Sequence, residues 1–388
     1  VPQHYVDVGF ETEVEIRDSG RTCEIEVENE PTKGYIRITK TDRLNGNPIE
    51  GVRFDIYEND EYGSALASSM VTDENGVAVS EPLRKGRYIV REHGETAGYV
   101  FEEIALDAVV KPDETTDLSV TNQPVRVRLK LYKRDADEYA GKPADAPGTR
   151  GDGELTGAVF RVLAAQDITD RQGNGIYEKG AVVVDSLTTA GEDASVTTGA
   201  LWPGVYEIVE LAPPVGYQAA VDSIIVDARS AAKQSHEAVV IYEGVVTNEI
   251  RYGAQAIVKL LGGMSDDPDP DRVETPEAGA EFLVYLRKAG SYENARALER
   301  DRLVTDENGY AKTKALPYGV YVLEQIKGAP GYELKGPILF EIDGTEDILN
   351  PPPLTLSDRP IRYRLRLMKT DGETGKAITL SGVSFKLR

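Results

Sequence analysis

The sequence predicts an all-β protein in which tandem β-sandwich domains follow one another in a linear array. The first observation is a fixed spacing, which is typical of tandem repeats. Four lysines each lie eleven residues after an Asn or Asp, in the pairs Asn29/Lys40, Asn122/Lys133, Asn248/Lys259 and Asp358/Lys369. The second observation is that the same short motifs recur between these pairs. The third is that the motifs describe many short strands separated by turns, which indicates a β-sandwich.

The composition limits the possible classes of function. A chain of 388 residues is long enough for roughly two to four domains. Lys and Arg number 44 against 66 Asp and Glu, which gives a net charge of −22. A surface this acidic repels phosphate backbones and anionic lipids. We therefore expect no nucleic-acid partner and no membrane insertion. With one cysteine and three histidines, we expect no intrachain disulfide, no metal site and no cofactor.

Each repeat begins with a strand that carries a lysine among apolar residues. Ile36, Ile38 and Lys40 alternate along such a strand, so they share one face. A Gly-x-x-Phe motif follows, starting at Gly51, Gly157, Gly279 and Gly382. The first and third repeats then have an Asp-Glu-Asn-Gly turn, in which Asn-Gly supplies the positive φ angles of a tight hairpin. A Leu-x-x-Gly-x-Tyr strand and a Gly-Tyr pair come next, and the repeat closes on its Asn or Asp.

These motifs divide the chain into five segments. Three are expected to be complete repeats, at residues 33–123, 124–249 and 250–359. Residues 1–32 are expected to be the closing strands of a preceding repeat, with Asn29 at their end. Residues 360–388 are expected to be the opening strands of a following repeat, with Lys369 as its lysine. Both end segments lack the Leu-x-x-Gly-x-Tyr strand, so we expect each to be an incomplete repeat.

A glutamate recurs at one place in the first two repeats. Glu92 and Glu210 each lie four residues after the tyrosine of Gly-x-Tyr and seven before the tyrosine of the Gly-Tyr pair. The third repeat has Gln325 at this position. Glu324 is adjacent, but a one-residue offset on a strand points a side chain to the opposite face unless a β-bulge intervenes.

The sequence resembles the Cna B-type, or SpaA-type, prealbumin-like domain of Gram-positive surface proteins and pili. The first repeat carries the resemblance in ITKTD, GVRF, TDENG, LRKGRYIVREHGETAGY and VTN, and the second in LYKRD, GAVF, LWPGVYEIVELAPPVGY and VTN. The resemblance implies an Ig-like or prealbumin-like β-sandwich. It also implies that the lysine of the first strand and the Asn or Asp of the last strand join in a spontaneous isopeptide bond assisted by the glutamate.

The resemblance implies two such bonds here, Lys40–Asn122 assisted by Glu92 and Lys133–Asn248 assisted by Glu210. This chemistry is reasonable because a lysine buried among apolar side chains loses its proton and becomes a nucleophile, while a buried glutamic acid relays protons.

The third repeat departs from the pattern. Gln325 is not a proton relay, and Lys259 with Asp358 forms an ordinary ion pair. We therefore expect the third bond to be absent, or slow and incomplete.

The function that these features predict is mechanical. We expect the stalk of a cell-wall-anchored, extracellular adhesin or fibre, whose partners are the neighbouring repeats of a longer chain. The only enzyme-like activity would be the chain's own crosslinking. Two alternatives stay open, a pilin subunit polymerised by sortase and an adhesive module that binds host matrix protein or glycan, for example near Trp202, the only tryptophan.

Three weaker features complete the expectations. The acidic run from Asp266 to Asp271 offers carboxylates for calcium, but prolines interrupt it, so a solvated loop is expected. Cys23 is expected to be a small core residue. Residues 292–303 contain Ala, Leu, Glu and Arg, which favour a helix.

Overall fold

The structure, a computed structural model, describes residues 5–6, 9–15, 17, 20, 22–58, 65–139, 148–234, 236–262, 274–345, 347–379, 382, 384 and 386. The predicted all-β class of tandem β-sandwiches is confirmed. The chain divides into two compact units. Unit 1 comprises Val1–Gly148, Leu155–Val215 and Ala219–Asn248, and unit 2 comprises Thr149–Glu154, Gly216–Gln218 and Glu249–Arg388.

The first sandwich, in unit 1, has these strands among its described residues: β1 (Tyr35–Asp42), β2 (Arg53–Glu58), β3 (Leu66–Val71), β4 (Val77–Val79), β5 (Gly86–His93), β6 (Ala105–Val110) and β7 (Thr115–Asn122). One sheet has the order β4-β1-β7 and the other β3-β2-β5-β6. Ile36 and Ile38 from the first sheet pack against Phe54 and Val90 from the second, all of them fully buried. The alternation predicted for the first strand is therefore what places Lys40 in the core.

The second sandwich, also in unit 1, comprises β8 (Arg126–Asp135), the short helix α1 (Ala136–Tyr139), β9 (Val159–Ala164), β10 (Ile168–Thr169), β11 (Gly175–Tyr177), β12 (Val182–Thr188), β13 (Ser195–Thr197), β14 (Val205–Ala212), β15 (Ile224–Asp227), a 3₁₀ turn (Arg229–Lys233) and β16 (Val239–Asn248). Its sheets have the orders β13-β8-β16 and β12-β9-β14-β15, and a separate hairpin is formed by β10 and β11. The core again contains residues of both large sheets.

The third sandwich, in unit 2, comprises β17 (Tyr252–Gly253), β18 (Ala256–Leu261), β19 (Thr275–Pro276), β20 (Glu281–Leu286), 3₁₀ turns at Arg287–Ala289 and Ala297–Glu299, β21 (Arg300–Val304), β22 (Tyr310–Lys312), β23 (Leu316–Pro317), β24 (Gly319–Lys327), β25 (Tyr332–Glu333), β26 (Ile338–Ile342) and β27 (Pro353–Pro360). Strand β18 lies between β19 and β27 and also pairs with β22, while β21-β20-β24-β26 forms the facing sheet.

In every sandwich the first and last core strands are parallel neighbours. In the first, β1 pairs with β7 so that Asp42 lies opposite Asn122. In the second, β8 pairs with β16, and in the third, β18 pairs with β27. Side chains on one face of paired strands lie close together, so this pairing brings the lysine of the first strand next to the Asn or Asp of the last.

Within unit 1, polar contacts join the first sandwich to the hairpin of β10 and β11. Asp170 in the hairpin accepts hydrogen bonds from the side-chain amides of Asn45 (3.2 Å) and Asn47 (3.1 Å). The side-chain amide of Gln172 donates to the hydroxyl of Tyr99 at 2.8 Å. These contacts connect successive sandwiches directly.

Two expectations were wrong. The predicted helix at 292–303 is only a 3₁₀ turn at Ala297–Glu299 followed by strand β21. The pairing of β21 with β20 outweighs the helix propensity of its residues. Cys23 is exposed rather than part of a core. The acidic run from Asp266 to Asp271 lies outside the described residues.

Candidate functional site

Lys40, Glu92 and Asn122 form a closed, buried triangle in the first sandwich. The Lys40 side chain is fully buried, and its Nζ lies 2.5 Å from Oδ1 of Asn122 and 2.6 Å from Oε2 of Glu92. The amide Nδ2 of Asn122 donates to Oε1 of Glu92 at 2.7 Å. One carboxyl group thus contacts both the amine and the amide nitrogen, the two groups between which a proton moves when an amine displaces ammonia from a carboxamide.

The facing sheet positions Glu92. Strand β5 places Glu92 opposite Phe54 of β2, and the Nζ of Lys40 lies 5.6 Å from the centroid of the Phe54 ring. The apolar surroundings matter because burial lowers the pKa of Lys40 below its ordinary value, and the nearby Glu92 offsets only part of this effect. Lys133 shows the same balance, with its pKa lowered by burial and partly restored by Glu210.

The second sandwich repeats this geometry. Lys133 is fully buried, its Nζ lies 2.9 Å from Oε1 of Glu210, and it also donates to Oδ1 of Asn248. Nδ2 of Asn248 donates to Oε2 of Glu210 at 2.8 Å. Glu210 lies opposite Phe160, as Glu92 lies opposite Phe54. The structure therefore brings all six residues proposed for the first two sites into two matching clusters.

The third sandwich places Lys259 beside Asp358. Both are buried, and Nζ of Lys259 lies 2.6 Å from Oδ1 of Asp358. The side-chain amide of Gln325 donates to Oδ2 of Asp358 at 2.9 Å. Strand β24 sets Gln325 opposite Phe282, so Gln325 occupies the register of Glu92 and Glu210.

The bulge between strands β20 and β24 does not bring Glu324 into the site, because strand alternation points Glu324 away from the face that carries Gln325. The register shifts between Glu281 and Phe282, beyond the pair of Phe282 with Gln325. Glu324 lies opposite Leu283, is only half-buried, and accepts a long 3.5 Å contact from the Tyr285 hydroxyl.

Glu277 is a member of the third site that the sequence analysis missed. It is only 3% exposed, and its Oε2 lies 3.3 Å from Nζ of Lys259. Its other oxygen accepts from the backbone N–H of Ala329 at 2.6 Å. The available signal was a glutamate two residues before the glycine of Gly-x-x-Phe, where the other two repeats have the apolar Ile49 and Leu155.

The remaining residues singled out in the sequence lie outside these clusters. Asn29 and Lys369 are both exposed. Trp202 is buried, with the guanidinium of Arg126 lying 4.3 Å from its ring centroid, so it offers little free surface for a ligand. In the described part of the chain, no group of three or more His, Cys, Asp and Glu side chains is arranged to hold a metal ion. Among those same residues, no helix has the length and apolar character needed to cross a membrane.

The comparisons with known proteins agree with the β-sandwich fold. A profile of the SpaA prealbumin-like fold domain matches residues 34–124 and 271–350. Two segments of the chain are thus similar to the SpaA prealbumin-like fold domain. No curated protein matches the sequence significantly.

The chain is also similar to several solved structures. The Bacillus anthracis TIE protein is similar with a TM-score of 0.52 and 22% identity over 86% of this chain, which spans about half (51%) of that protein's length. BcpA, the major pilin subunit of Bacillus cereus, matches with 17% identity and a TM-score of 0.30 over 85% of this chain and 100% of its own. The shaft pilin SpaA from Lactobacillus rhamnosus GG matches with 18% identity and a TM-score of 0.21 over 55% of this chain and 100% of its own.

Proposed function

We propose that this chain is part of the stalk of a Gram-positive cell-surface adhesin or fibre, stiffened by isopeptide bonds that the protein forms by itself. The observation that carries the proposal is the carboxyl of Glu92, which contacts both the amine of Lys40 and the amide nitrogen of Asn122. The matching cluster around Glu210 supports it independently. The resemblance to surface proteins and pilins supports a location outside the cell.

The reaction at the first site needs no external group. The uncharged Nζ of Lys40 attacks Cγ of Asn122, and the C–N bond to Nδ2 breaks. Glu92 accepts a proton from Nζ through one oxygen and delivers a proton to Nδ2 through the other, so ammonia leaves and Glu92 ends as it began. Burial supports the uncharged amine, and the fold holds the atoms in contact, which replaces the entropy cost of bringing two reactants together.

The parallel pairing of first and last strands gives the bond a mechanical purpose. Along the chain, Asn122 lies 82 positions after Lys40, and Asn248 lies 115 positions after Lys133. A covalent bond between these strands carries tension past the intervening residues, so pulling does not unfold the sandwich. The polar contacts between the two sandwiches of unit 1 also suit a stalk, because they connect neighbours without a long flexible linker.

Intact mass under denaturing conditions tests the proposal. Each bond at the first two sites removes one ammonia, about 17 Da, and peptide mapping should recover Lys40 joined to Asn122 and Lys133 joined to Asn248. Glu92→Gln and Glu210→Gln, which keep side-chain size, should each restore one ammonia mass and leave the other bond intact. An unmodified mass for the natural chain, with unlinked peptides at both sites, contradicts the proposal.

A further inference from the structure

The third site contains a buried carboxyl group that comes from a different strand position than Glu92 and Glu210. Glu277 precedes β20 and reaches Nζ of Lys259 at 3.3 Å, while Gln325 holds the register where the other sites have their glutamate. The third site therefore has a carboxyl beside its lysine, as the other two have, but at a different place in the fold.

Backbone contacts show that Glu277 occupies the place of Ile49 and Leu155. In each repeat, the carbonyl of this residue accepts a hydrogen bond from a threonine hydroxyl: Thr72 to Ile49 at 2.8 Å, Thr189 to Leu155 at 3.0 Å and Thr305 to Glu277 at 2.6 Å. The backbone N–H of Ile49 donates to the carbonyl of Lys40, and that of Glu277 donates to the carbonyl of Lys259. These backbone contacts are shared, so the repeats differ at this position in the side chain, which is glutamate in the third repeat and apolar in the other two.

A buried carboxyl at an apolar position has a desolvation cost and needs a compensating role. Packing does not require it, because Ile49 and Leu155 fill the same place at 4% and 5% exposure. Glu277 Oε1 is held by the N–H of Ala329, which leaves Oε2 directed at Lys259. This orientation is what a group that exchanges a proton with the lysine amine requires.

We propose that Glu277 is the proton-transferring residue for an isopeptide bond between Lys259 and Asp358, so that the third repeat also crosslinks itself. This inference rests on the crosslinking chemistry proposed for the first two repeats. It replaces the expectation that the third repeat lacks the bond or forms it slowly and incompletely.

Gln325 and Glu277 have separate roles in this reaction. Gln325 donates to Oδ2 of Asp358, which polarises that oxygen as the carbonyl. Oδ1 faces Nζ at 2.6 Å and is the oxygen that leaves. The reacting forms are the uncharged amine of Lys259 and the protonated acid of Asp358. The Nζ–Cγ bond forms and the Cγ–Oδ1 bond breaks. Glu277 takes a proton from Nζ and returns one to the departing oxygen, so one water is released.

Mass spectrometry of the full chain tests this proposal. In the natural protein we expect a stoichiometric Lys259–Asp358 peptide and a loss of one water, about 18 Da, at that site. Glu277→Gln and Glu277→Leu should abolish this crosslink while both ammonia losses of the first two repeats persist. The leucine variant reproduces the side chain found at residue 155, which keeps the apolar packing. Glu324→Gln is the control, and it should leave the crosslink unchanged.

A rescue variant separates catalysis from folding. Glu277→Leu combined with Gln325→Glu returns the carboxyl to the register of Glu92 and Glu210, so the crosslink should reappear. A natural chain with both ammonia losses but unlinked Lys259 overturns the inference and leaves the proposed function intact. Persistence of the crosslink in both single Glu277 variants also overturns it. Absence of the ammonia losses alongside a Glu277-dependent water loss instead contradicts the proposal for the first two repeats.

Discussion

The site around Lys40 and the site around Lys259 share a backbone and differ in the side chain that places a carboxyl beside the lysine. In the first, Glu92 contacts both the amine of Lys40 and the amide nitrogen of Asn122. In the third, Gln325 contacts the acceptor and Glu277 contacts the amine. The comparison shows that the strand pairing fixes where lysine and acceptor meet, whereas the supporting carboxyl has more than one place from which to reach them.

The largest effect should appear under force. In the natural chain, the segment from Lys40 to Asn122, which lies 82 positions further on, should contribute no extension, since the proposed bond bypasses it. Lys40→Met should release about 280 Å of additional contour length at roughly 3.4 Å per residue, measured by single-molecule force spectroscopy. Lys111→Met, which removes an exposed lysine of the same sandwich, is the control. Equal extension in the natural chain and the Lys40 variant would show that the first sandwich is not bypassed.

The second effect is on thermodynamic stability. A crosslink that closes a loop of this length should contribute roughly 4–5 kcal/mol, by analogy with a disulfide. Glu92→Gln should therefore lower the free energy of unfolding of the first sandwich by about this amount, seen as a lower denaturant midpoint. Glu102→Gln breaks an exposed pair with Arg43 and should cost at most about 1 kcal/mol. Similar losses in the two variants would argue against a covalent link.

Sequence reasoning succeeded where the relevant rule is local. Strand alternation placed Lys40 in the core, because inward and outward directions have a period of two. The offsets from the two tyrosine motifs set Gln325 in the register of Glu92. It missed Glu277, whose inward direction is set by contacts with Lys259 and Thr305, which are distant in the sequence. The prediction of a helix at residues 292–303 was wrong for the same reason, because the pairing of β21 with β20 outweighs helix propensity.

The turn that contacts the lysine strand provides a smaller comparison. Gly76 and Gly309 have φ angles of 71° and 69°, and a Cβ on Gly76 would lie 2.4 Å from the carbonyl oxygen of Lys40. In the second sandwich, the backbone N–H of Lys133 donates to the carbonyl of Ala194, which has a φ of 47°. Gly76→Ala should therefore destabilise the first sandwich by about 1–3 kcal/mol, measured by chemical denaturation.

The reciprocal change, Ala194→Gly, removes a side chain from a left-handed conformation that alanine disfavours. We expect it to be neutral or to stabilise the second sandwich by up to about 1 kcal/mol. A stabilising Gly76→Ala, or a strongly destabilising Ala194→Gly, would show that the two turns are not equivalent.

The smallest effect is a pH dependence that should appear only when the lysine is left unlinked. Asn122→Ala removes the acceptor and leaves Lys40 buried beside Glu92. Burial lowers the pKa of Lys40 in the folded protein below its ordinary value of 10.5. At a pH between the pKa of the folded state and that of the unfolded state, the unfolded chain therefore binds more protons than the folded one. The free energy of unfolding should therefore rise with pH across this window and fall as the pH drops through it.

Urea titrations of this variant should show the rise, while Lys40→Met combined with Asn122→Ala, which lacks the titrating amine, should not. Parallel pH profiles for the two variants would mean that the fold does not favour the uncharged amine at this position, and the chemical step proposed for Lys40 would lose its physical basis.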